Sequence, residues 1–376
     1  MKRLSPWRQI ANAAVLAVNL LTGGALVLAS YAGEFSPAER PLMGVIVLGV
    51  PIALAALVFL LVLDFVWWRK TALVPIAAIV ASWPTVWSVC PLNIATGIPG
   101  GTPTQRVFTL LTYNVLSLRD NTGNFSGDCN PTLSYILSQD ADVVCLQELS
   151  VLHINEGLHI TQAQLDSLHA RYPYIILSGT AVAVMSKYPI ENLHLDSNSG
   201  VKGSRCDMGG YVLNVEGHRL ALFNVHLQSF KLTRSDKEAY NELTHLRHEE
   251  DINELGHTLV GKIKTAAVRR AGQAQMLCRY IDYYGGENVI VTGDFNDAPG
   301  CYTLRQLADL GLQEVWPEVG FGPTWTYNEN RLYFRIDHIL WRGRLKPASI
   351  RRGSGRWSDH YPLIATFVWD DDGTES

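Results

Sequence analysis

Polar side chains of the kinds that bind metal ions and transfer protons recur where apolar, strand-like runs of this sequence end. An asparagine and a glutamate follow the first two runs, a histidine follows a third, and an Asp-Phe-Asn-Asp string follows a fourth. Carboxylate and amide oxygens are hard ligands that suit Mg²⁺, and a histidine beside an aspartate can hold or move a proton. The candidates are Asn114, Glu148, His226, Asp294, Asn296, Asp337, Asp359 and His360.

Each candidate also has a simpler structural interpretation when it is considered separately. Asn114 suits a turn, Glu148 suits a solvated strand end, and a single histidine such as His226 is more often a structural residue with satisfied hydrogen bonds. Asp337 could pair with Arg335, two residues before it. The other candidates also suit turns, so the argument for chemistry rests on the order in which all of them occur.

In order and content these residues resemble the endonuclease/exonuclease/phosphatase superfamily, which includes pancreatic-type deoxyribonuclease, abasic-site endonucleases, inositol polyphosphate phosphatases and neutral sphingomyelinases. The resemblance runs from Phe108 to Val368. It implies an α+β fold, an α/β/β/α four-layer sandwich of two packed sheets with helices on both outer faces. The strings that carry it are TYNV at 112–115, LQE at 146–148, NVHL at 224–227, TGDFND at 292–297, RIDHI at 335–339 and SDHYP at 358–362.

The resemblance implies a metal-dependent hydrolysis of a phosphate ester. Glu148 would be the principal ligand of Mg²⁺, with Mn²⁺ as a possible substitute, and Asn114 and Asp359 would lie nearby. Asp294 would orient and deprotonate the attacking water. A bound cation of this kind offsets the negative charge by which a phosphate ester resists attack.

The resemblance also assigns residues to the phosphate. Asn296 would donate to a phosphate oxygen as negative charge shifts in the transition state. His360, fixed by Asp337, would bind the phosphate and stabilise the developing charge, because a carboxylate behind an imidazole sets its tautomer and favours its charged form. His226 would contact the phosphate or the leaving group.

Basic side chains near these strings are candidates for substrate binding, although each could equally be a solvated surface residue. The chain has 31 Lys and Arg against 35 Asp and Glu; six of the former and three of the latter precede residue 106, which leaves a formal charge of −7 for the rest. An acidic domain does not fit a surface that binds DNA nonspecifically. The substrate-binding candidates are Lys187, Arg205 and Lys231.

Three uncharged, mostly apolar stretches occupy the first part of the chain, at 10–33, 42–63 and 71–105. Stretches of this length predict about three transmembrane helices, since a helix needs roughly 20 apolar residues to cross a bilayer. Pro75 and Pro84 interrupt the third stretch. A cleaved signal peptide is the alternative for the first stretch, but such a peptide would not be followed by two more apolar segments.

The basic residues of the short loops predict the orientation of these helices. Arg8 and the Arg69–Lys70 turn are expected on the cytoplasmic side. The third helix would then deliver the catalytic domain outside the cytoplasm. We therefore expect a membrane anchor at 1–96, a linker at 97–105, a catalytic domain at 106–370 and a tail at 371–376. A membrane anchor and an acidic domain favour a lipid headgroup or a small phosphorylated metabolite as substrate.

Two other functions stay open from the sequence. The protein could be an extracytoplasmic nuclease of the same superfamily, or a catalytically inactive, membrane-tethered binding module. Two structural questions also stay open. Cys129 and Cys206 could form a disulfide or be free thiols, and the segment 229–264 could be an outer helix or a lid over the site. Lys231 and Arg234 would meet an anionic substrate if it is a lid.

Overall fold

The apolar first part of the chain forms a small helical bundle in the computed structural model. The structure describes residues 6–67, 70–94, 107–119, 129–149, 159–178, 181–196, 207–230, 249–329 and 332–370. The bundle consists of α1 (Pro6–Ala32), α2 (Met43–Ile46), α3 (Val50–Trp67), α4 (Leu73–Ala81) and α5 (Trp83–Val89), with a 3₁₀ turn at Val47–Gly49 that joins α2 to α3.

Two helical stretches of this bundle are long and apolar enough to cross a membrane, Pro6–Ala32 and Met43–Trp67. The expectation of a third long helix is corrected by the structure. The third apolar stretch is split at Ser82, and its two parts, α4 and α5, have nine and seven residues. The break has a local cause, because Pro84 lies at the start of α5 and cannot donate a backbone hydrogen bond to the preceding turn.

The remainder folds as an α+β sandwich whose first sheet contains both parallel and antiparallel strands. Its six strands lie in the order β13-β14-β1-β2-β4-β3. The sequence predicted all of them except β13. Their bounds are β1 (Val107–Asn114), β2 (Val143–Gln147), β3 (Tyr174–Leu177), β4 (Val182–Ser186), β13 (Leu345–Arg352) and β14 (Leu363–Trp369).

The second sheet is also mixed and has the order β5-β6-β7-β8-β12-β9. Glu216 and Gly217 make the turn between β6 and β7 with φ angles of 53° and 94°, which confirms the predicted hairpin. The single strand expected at 334–341 is instead interrupted before Asp337. The bounds are β5 (Ile190–Asn192), β6 (Asp207–Val215), β7 (His218–His226), β8 (Val289–Asp294), β9 (Gln313–Glu314) and β12 (Asp337–Arg342).

Helices and a small hairpin complete the described part of the sandwich. The predicted helix at 131–139 is present, and the polar region before Tyr284 forms one helix of 36 residues. The expectation of a lid falls mainly on 231–248, outside the described residues. The elements are α6 (Pro131–Gln139), α7 (Gln162–Arg171), α8 (Glu249–Tyr284), α9 (Tyr302–Asp309), α10 (Val315–Val319) and the hairpin β10 (Tyr327–Glu329) and β11 (Leu332–Phe334).

Apolar side chains fill three layers of this sandwich. Between the sheets, Leu110 and Phe367 of the first sheet pack with Leu222 and Ile290 of the second. The outer face of the first sheet is covered through α6 and α7, and that of the second sheet through α8 and α9. Full burial of each such side chain contributes about 1.5–3 kcal/mol, so sheet packing is the main force that brings the two sets of strand ends together.

A buried polar contact joins the sheets directly behind those strand ends. Gln147 of β2 donates from Nε2 to Asn224 Oδ1 of β7 at 2.7 Å. Asn224 in turn donates from Nδ2 to the carbonyl oxygens of Leu146 and Ala183 at 3.0 and 2.9 Å. Gln147 and Asn224 are fully buried. Because an unpaired buried amide is costly, these bonds fix the register of one sheet against the other.

The helical bundle packs directly on the sandwich. Gly33, after α1, lies so close to the loop after β8 that a Cβ atom at this position would be 1.9 Å from the carbonyl oxygen of Gly300. Arg305 of α9 donates to Ser30 O at 2.7 Å and forms an ion pair with Glu34. This contact places the end of α1 beside the loop that follows Asp294.

A second contact joins α5 to the other edge of the same region. Buried Arg335 donates to the carbonyl oxygen of Ser88 at 2.6 Å and pairs with Glu314 at 3.0 Å. Trp87 and Asn93 both donate to the carbonyl oxygen of Pro317 at 3.0 Å. The ends of α1 and α5 therefore contact the sandwich at two separate places.

Candidate active site

The candidate residues meet at one edge of the sandwich because of strand direction. Strand β1 is parallel to β2, and β7 is parallel to β8. Because Asn114 at the end of β1 contacts Asp294 at the end of β8, the carboxyl ends of all four strands lie at the same edge. Asp337 begins β12 opposite Asp294, in antiparallel register. His360 precedes β14, which runs antiparallel to β1. The sheet topology thus gathers residues that are separated by up to 246 positions in the sequence.

Asn114 joins the two principal carboxylates of the site. Its Nδ2 lies 3.0 Å from Glu148 Oε1 and 3.0 Å from Asp294 Oδ2. Its Oδ1 accepts the backbone N–H of Leu116 at 3.2 Å, which holds the amide plane in place. Glu148 remains about one-third exposed, whereas Asp294 is 1% exposed. Glu148 is therefore the carboxylate best placed to meet a solvated cation.

Two site residues adopt left-handed backbone conformations. Glu148 has φ 55° and Asn296 has φ 50°. Such conformations cost energy in residues other than glycine, of order 1 kcal/mol or more, and are retained where the surrounding structure holds them. Two hydrogen bonds hold Asn296 in this conformation: its backbone N–H donates to Asp294 Oδ1 at 2.9 Å, and its Nδ2 donates to Leu227 O at 3.1 Å.

His360 lies between two buried carboxylates. Its Nδ1 is 2.8 Å from Asp337 Oδ2, and its Nε2 is 3.7 Å from Asp294 Oδ2. Burial acts to lower the pKa of His360, but the charges of Asp337 and Asp294 outweigh it and raise the pKa to about 10. Burial raises the pKa of Asp294 above its usual range, although the neighbouring His360 acts in the opposite direction. Because the pKa of His360 lies well above 7, its imidazole is a cation at neutral pH.

His226 approaches the same oxygen from the other side. Its Nε2 lies 3.7 Å from Asp294 Oδ2 and 3.7 Å from Glu148 Oε1. Its Nδ1 is 4.0 Å from Asp207 Oδ2, a carboxylate that the sequence had not indicated. Asp294 Oδ2 thus has the Nδ2 of Asn114 at 3.0 Å and two imidazole nitrogens at 3.7 Å.

Residues outside the predicted set hold the His360 loop in position. Ser358 donates from Oγ to the carbonyl oxygen of Asn114 at 2.7 Å and accepts the N–H of His360 at 3.1 Å. Thr326 accepts the N–H of Asp337 at 3.0 Å. The ring of Tyr327 meets that of His360 edge-on at a centroid distance of 5.1 Å. Ser358 adjoins Asp359 in the SDH string, and this adjacency was the available signal for it.

Another unpredicted pair supports the loop after β8. Arg270 of α8 is fully buried and its Nη2 lies 3.0 Å from Asp297 Oδ1. Its Nη1 donates to Gln228 O at 2.9 Å. Asp297 also accepts from Thr303 Oγ1 at 2.7 Å. Because Asp297 follows Asn296 directly, its pairing with Arg270 holds this loop in place. A pairing between residues so distant in the chain has no local sequence signal.

The structure separates one substrate-binding candidate from the site. Lys187 follows β4, which is antiparallel to β2, so it lies near the beginning of β2 rather than near Glu148. Its Nζ donates to Asp140 O at 2.9 Å and pairs with Asp142 at 3.1 Å. Lys187 is therefore not a substrate contact at this site. Arg205, Lys231 and Arg234 lie outside the described residues, as does Cys206 of the suggested disulfide.

The site has the donors that a divalent cation requires. Within the described part of the chain, Asp294, Asp337 and His360 form a group whose ligand atoms lie within 4.8 Å of one another. Two of these atoms already bond to each other, since His360 Nδ1 is held by Asp337. Glu148 is more exposed and has the Asn114 amide beside it. Nε2 of His226 is 3.7 Å from its carboxylate, which is beyond hydrogen-bond distance. The oxygen-rich set suits a hard cation.

Comparison with known proteins shows the family to which most of the chain belongs. A profile of the endonuclease/exonuclease/phosphatase family matches residues 111–360, well over half of the chain and all of the predicted site residues. Residues 12–89, which include most of the helical bundle, match a domain of unknown function (DUF8431). No curated protein is similar in sequence to the chain.

Solved structures similar to this chain include an endonuclease/exonuclease/phosphatase from Beutenbergia cavernae, with a TM-score of 0.48 and 18% identity over 70% of this chain and 72% of that one. A family protein from Bacteroides thetaiotaomicron has a TM-score of 0.43 and 15% identity over 71% of this chain and 99% of that one. TDP2 from C. elegans has a TM-score of 0.42 and 17% identity over 70% and 75%.

Proposed function

The chain belongs to the endonuclease/exonuclease/phosphatase family, and from this membership and the geometry of its site we propose that it is a membrane-anchored, metal-dependent phosphoesterase. The proposed substrate is a phosphodiester or phosphomonoester, either a lipid headgroup or a small phosphorylated metabolite. The observation that carries the proposal is the approach of Asn114 and two histidines to the single oxygen Oδ2 of Asp294, with Glu148 beside them.

Glu148 is the proposed principal ligand of Mg²⁺ or Mn²⁺, and Asn114 and Asp359 are the proposed supporting groups. The cation would supply positive charge to a phosphate oxygen and to the attacking water. Asn114 keeps the carboxylates of Glu148 and Asp294 at a fixed separation by donating to both. Fixing two like charges before substrate arrives avoids reorganisation during the reaction.

Asp294 is the proposed general base. Its buried position raises its pKa, which makes the carboxylate a better proton acceptor than a solvated aspartate. A water held at Oδ2 would lie within reach of both imidazole Nε2 atoms. The protonated His360 would bind a phosphate oxygen through Nε2–H, with Asp337 holding the proton on Nδ1. His226 would contact the phosphate or the leaving-group oxygen, and Asn296 would donate from its amide.

The membrane part of the proposal rests on the two long apolar helices and on the charge of the loops. The helices Pro6–Ala32 and Met43–Trp67 have the length and composition of membrane spans. The basic residues of the N-terminus and of the Arg69–Lys70 turn favour the cytoplasmic side of the membrane. For a catalytic domain outside the cytoplasm, α4 and α5 together would have to return the chain across the membrane. The contacts of Gly33 and Ser88 with the sandwich would hold that domain against the anchor.

The test is hydrolysis by the full-length protein in nanodiscs. After removal of metal with EDTA, Mg²⁺ or Mn²⁺ is restored and four substrates are compared: bis(p-nitrophenyl) phosphate, p-nitrophenyl phosphate, phospholipid and DNA. We expect metal-dependent turnover of at least one. Glu148→Gln should abolish it, whereas Glu191→Gln, an exposed carboxylate in β5, should not. Full activity in excess EDTA would disprove the metal-dependent mechanism, and turnover of DNA only would make the protein a nuclease.

A further inference from the structure

Exposed apolar side chains form a strip between the helical bundle and the site. Leu92 and Ile94, which follow α5, are 55% and 89% exposed. Phe321 is 59% exposed, Trp325 is 37% exposed and Tyr333 is 56% exposed. These five residues are called the apolar strip below. Such large side chains gain by leaving water, so a group of them at one place indicates an interaction surface.

Two contacts link members of the strip to one another. Leu92 and Phe321 form an isolated antiparallel bridge, and Gly322 N donates to Pro91 O at 2.6 Å. Trp325 and Tyr333 are in edge-on ring contact at 5.6 Å between centroids. The strip thus begins where the chain leaves α5 and continues to the hairpin β10–β11.

The far end of the strip adjoins His360. Tyr327 forms a bridge with His360 and follows Phe321 by six residues. A segment of this length spans at most about 20 Å. The other rim of the site also contacts the bundle, because Gly300, four residues after Asn296, touches Gly33. Both rims of the site therefore lie within a short distance of the outer ends of α1 and α5.

Charge at the strip fits an anionic, amphipathic partner. The guanidinium of Arg352 lies 4.5 Å from the ring centre of Trp325 and 4.4 Å from that of Tyr361, the residue after His360. Its Nη1 donates to the carbonyl oxygen of Trp325 at 3.2 Å. A cation held beside exposed aromatic rings matches the interfacial region of a bilayer, where aromatic rings lie at the headgroups and cations meet lipid phosphates.

Resting on the proposed function, we infer that the apolar strip lies in the headgroup region of the bilayer that holds the N-terminal helices, and that the substrate phosphate belongs to a lipid of that bilayer. The bilayer is the occupant because the strip begins directly after α5, in the same helical bundle as the two helices that have the length of membrane spans. The lipid would then reach His360 by moving within the membrane surface, without leaving it.

The first test measures position and needs no catalysis. The full-length Cys129→Ser protein in phospholipid nanodiscs carries a spin label at Phe321→Cys or, as a control, at Tyr283→Cys. The Cys129→Ser protein without either added cysteine measures the signal of the remaining cysteines. Tyr283 is 80% exposed near the end of α8, at the edge of the sandwich opposite the site. We expect the label at 321 to collide with oxygen dissolved in the bilayer and to be shielded from a soluble nickel chelate, and the label at 283 to show the reverse.

Two outcomes of this test would overturn the inference. A label at 321 that meets the nickel chelate as freely as the label at 283 would place the strip in water. A label at 321 that is shielded from both reagents would show that protein covers the strip, either a second copy or another segment of this chain.

The second test measures substrate choice. Phe321→Ser and Leu92→Ser should lower kcat/KM on phospholipid in nanodiscs by about tenfold or more, since each removes an apolar side chain from the bilayer. Turnover of bis(p-nitrophenyl) phosphate should stay unchanged, and Tyr283→Ser should alter neither. Equal losses on both substrates, or no loss on lipid, would contradict the inference. If the wild type cleaves neither substrate with Mg²⁺ or Mn²⁺, the proposed function fails, while the spin-label result still decides where the strip lies.

Discussion

Nδ1 of His360 lies 2.8 Å from Oδ2 of Asp337, and both side chains are almost completely buried. This contact determines which nitrogen of His360 is available, because it commits Nδ1 to the carboxylate and leaves Nε2 to point toward Asp294 Oδ2 at 3.7 Å. The carboxylate also stabilises the protonated ring and contributes to a pKa of about 10. The pair thus orients a cationic imidazole toward the position proposed for phosphate.

Replacing Asp337 with Asn should therefore slow the reaction more than it weakens substrate binding. The amide cannot stabilise a protonated imidazole, and we expect kcat to fall about 100-fold or more with a smaller change in KM. Steady-state kinetics on bis(p-nitrophenyl) phosphate measure both quantities. Asp309→Asn, at the exposed end of α9, is the control and should match the wild type. An Asp337→Asn enzyme with normal kcat would show that His360 does not act as a cation.

Metal binding should stabilise the folded protein. Glu148 and Asp294 are two carboxylates linked by the Asn114 amide, with Nε2 of His226 at 3.7 Å from each, and a cation beside them would offset their negative charge. At a Mg²⁺ concentration of 100 times Kd the gain is about 2.7 kcal/mol. Differential scanning fluorimetry of the EDTA-treated protein should show Tm rising with Mg²⁺ or Mn²⁺. The rise should be lost in Glu148→Gln and kept in Glu191→Gln; an equal rise in both variants would place the metal elsewhere.

The contact between Gly33 and Gly300 should be sensitive to a single added methyl group. A Cβ atom at Gly33 would overlap the carbonyl oxygen of Gly300, so Gly33→Ala must displace the loop that carries Asn296. We expect a loss of stability of about 1–3 kcal/mol and a lower kcat. Gly24→Ala, within α1 where a Cβ atom meets no neighbour, should lose neither stability nor activity. Thermal unfolding and kinetics of the two variants give the comparison, and equal behaviour would show that the bundle does not press on the loop.

Acid should weaken the contact of α5 with the sandwich through Glu314. Burial acts to raise the pKa of Glu314, but Arg335 and His338 outweigh it and hold the pKa below its usual value. A depressed carboxyl pKa stabilises the fold above the unfolded value of about 4.3. That contribution disappears as pH falls through the lower, folded pKa.

Glu314→Gln should accordingly unfold more easily at pH 7, by about 3–5 kcal/mol, because it leaves the charge of buried Arg335 without its partner. The difference from the wild type should begin to shrink below the unfolded pKa of about 4.3 and should continue to shrink as pH falls toward the lower, folded pKa of Glu314. Thermal unfolding of both proteins between pH 3 and 8 measures this. Glu318→Gln on α10 is the control. A pH-independent difference would mean that Glu314 acts through packing and not through its charge.

The sequence indicated candidate site residues best where they lie at the ends of strands. Asn114, Glu148, His226 and Asp294 each end an apolar run, and the parallel pairs of strands bring them to one edge. Lys187 also follows such a run, but its strand is antiparallel to β2, and the direction of a strand cannot be read from its own residues. A position after an apolar run therefore does not by itself place a residue such as Lys187 at the edge that carries Glu148.

Long-range contacts were the other part that the sequence could not supply. The pairing of Arg270 with Asp297 and the bridge between Leu92 and Phe321 join residues distant in the chain. None of these four residues departs from an ordinary local sequence pattern, so only the fold identifies the two contacts.

The pairing of β1 with β14 also orders events during synthesis. Val107 lies opposite Val368, so the first strand of the sandwich remains without one neighbour until almost the whole described chain has been made. Closing so long a loop is entropically costly and slow compared with forming local helices. In the proposed topology, the N-terminal helices would enter the membrane before the sandwich is complete. His360 lies only three residues before β14, so the proposed site lacks this residue until the end of the described chain has been made.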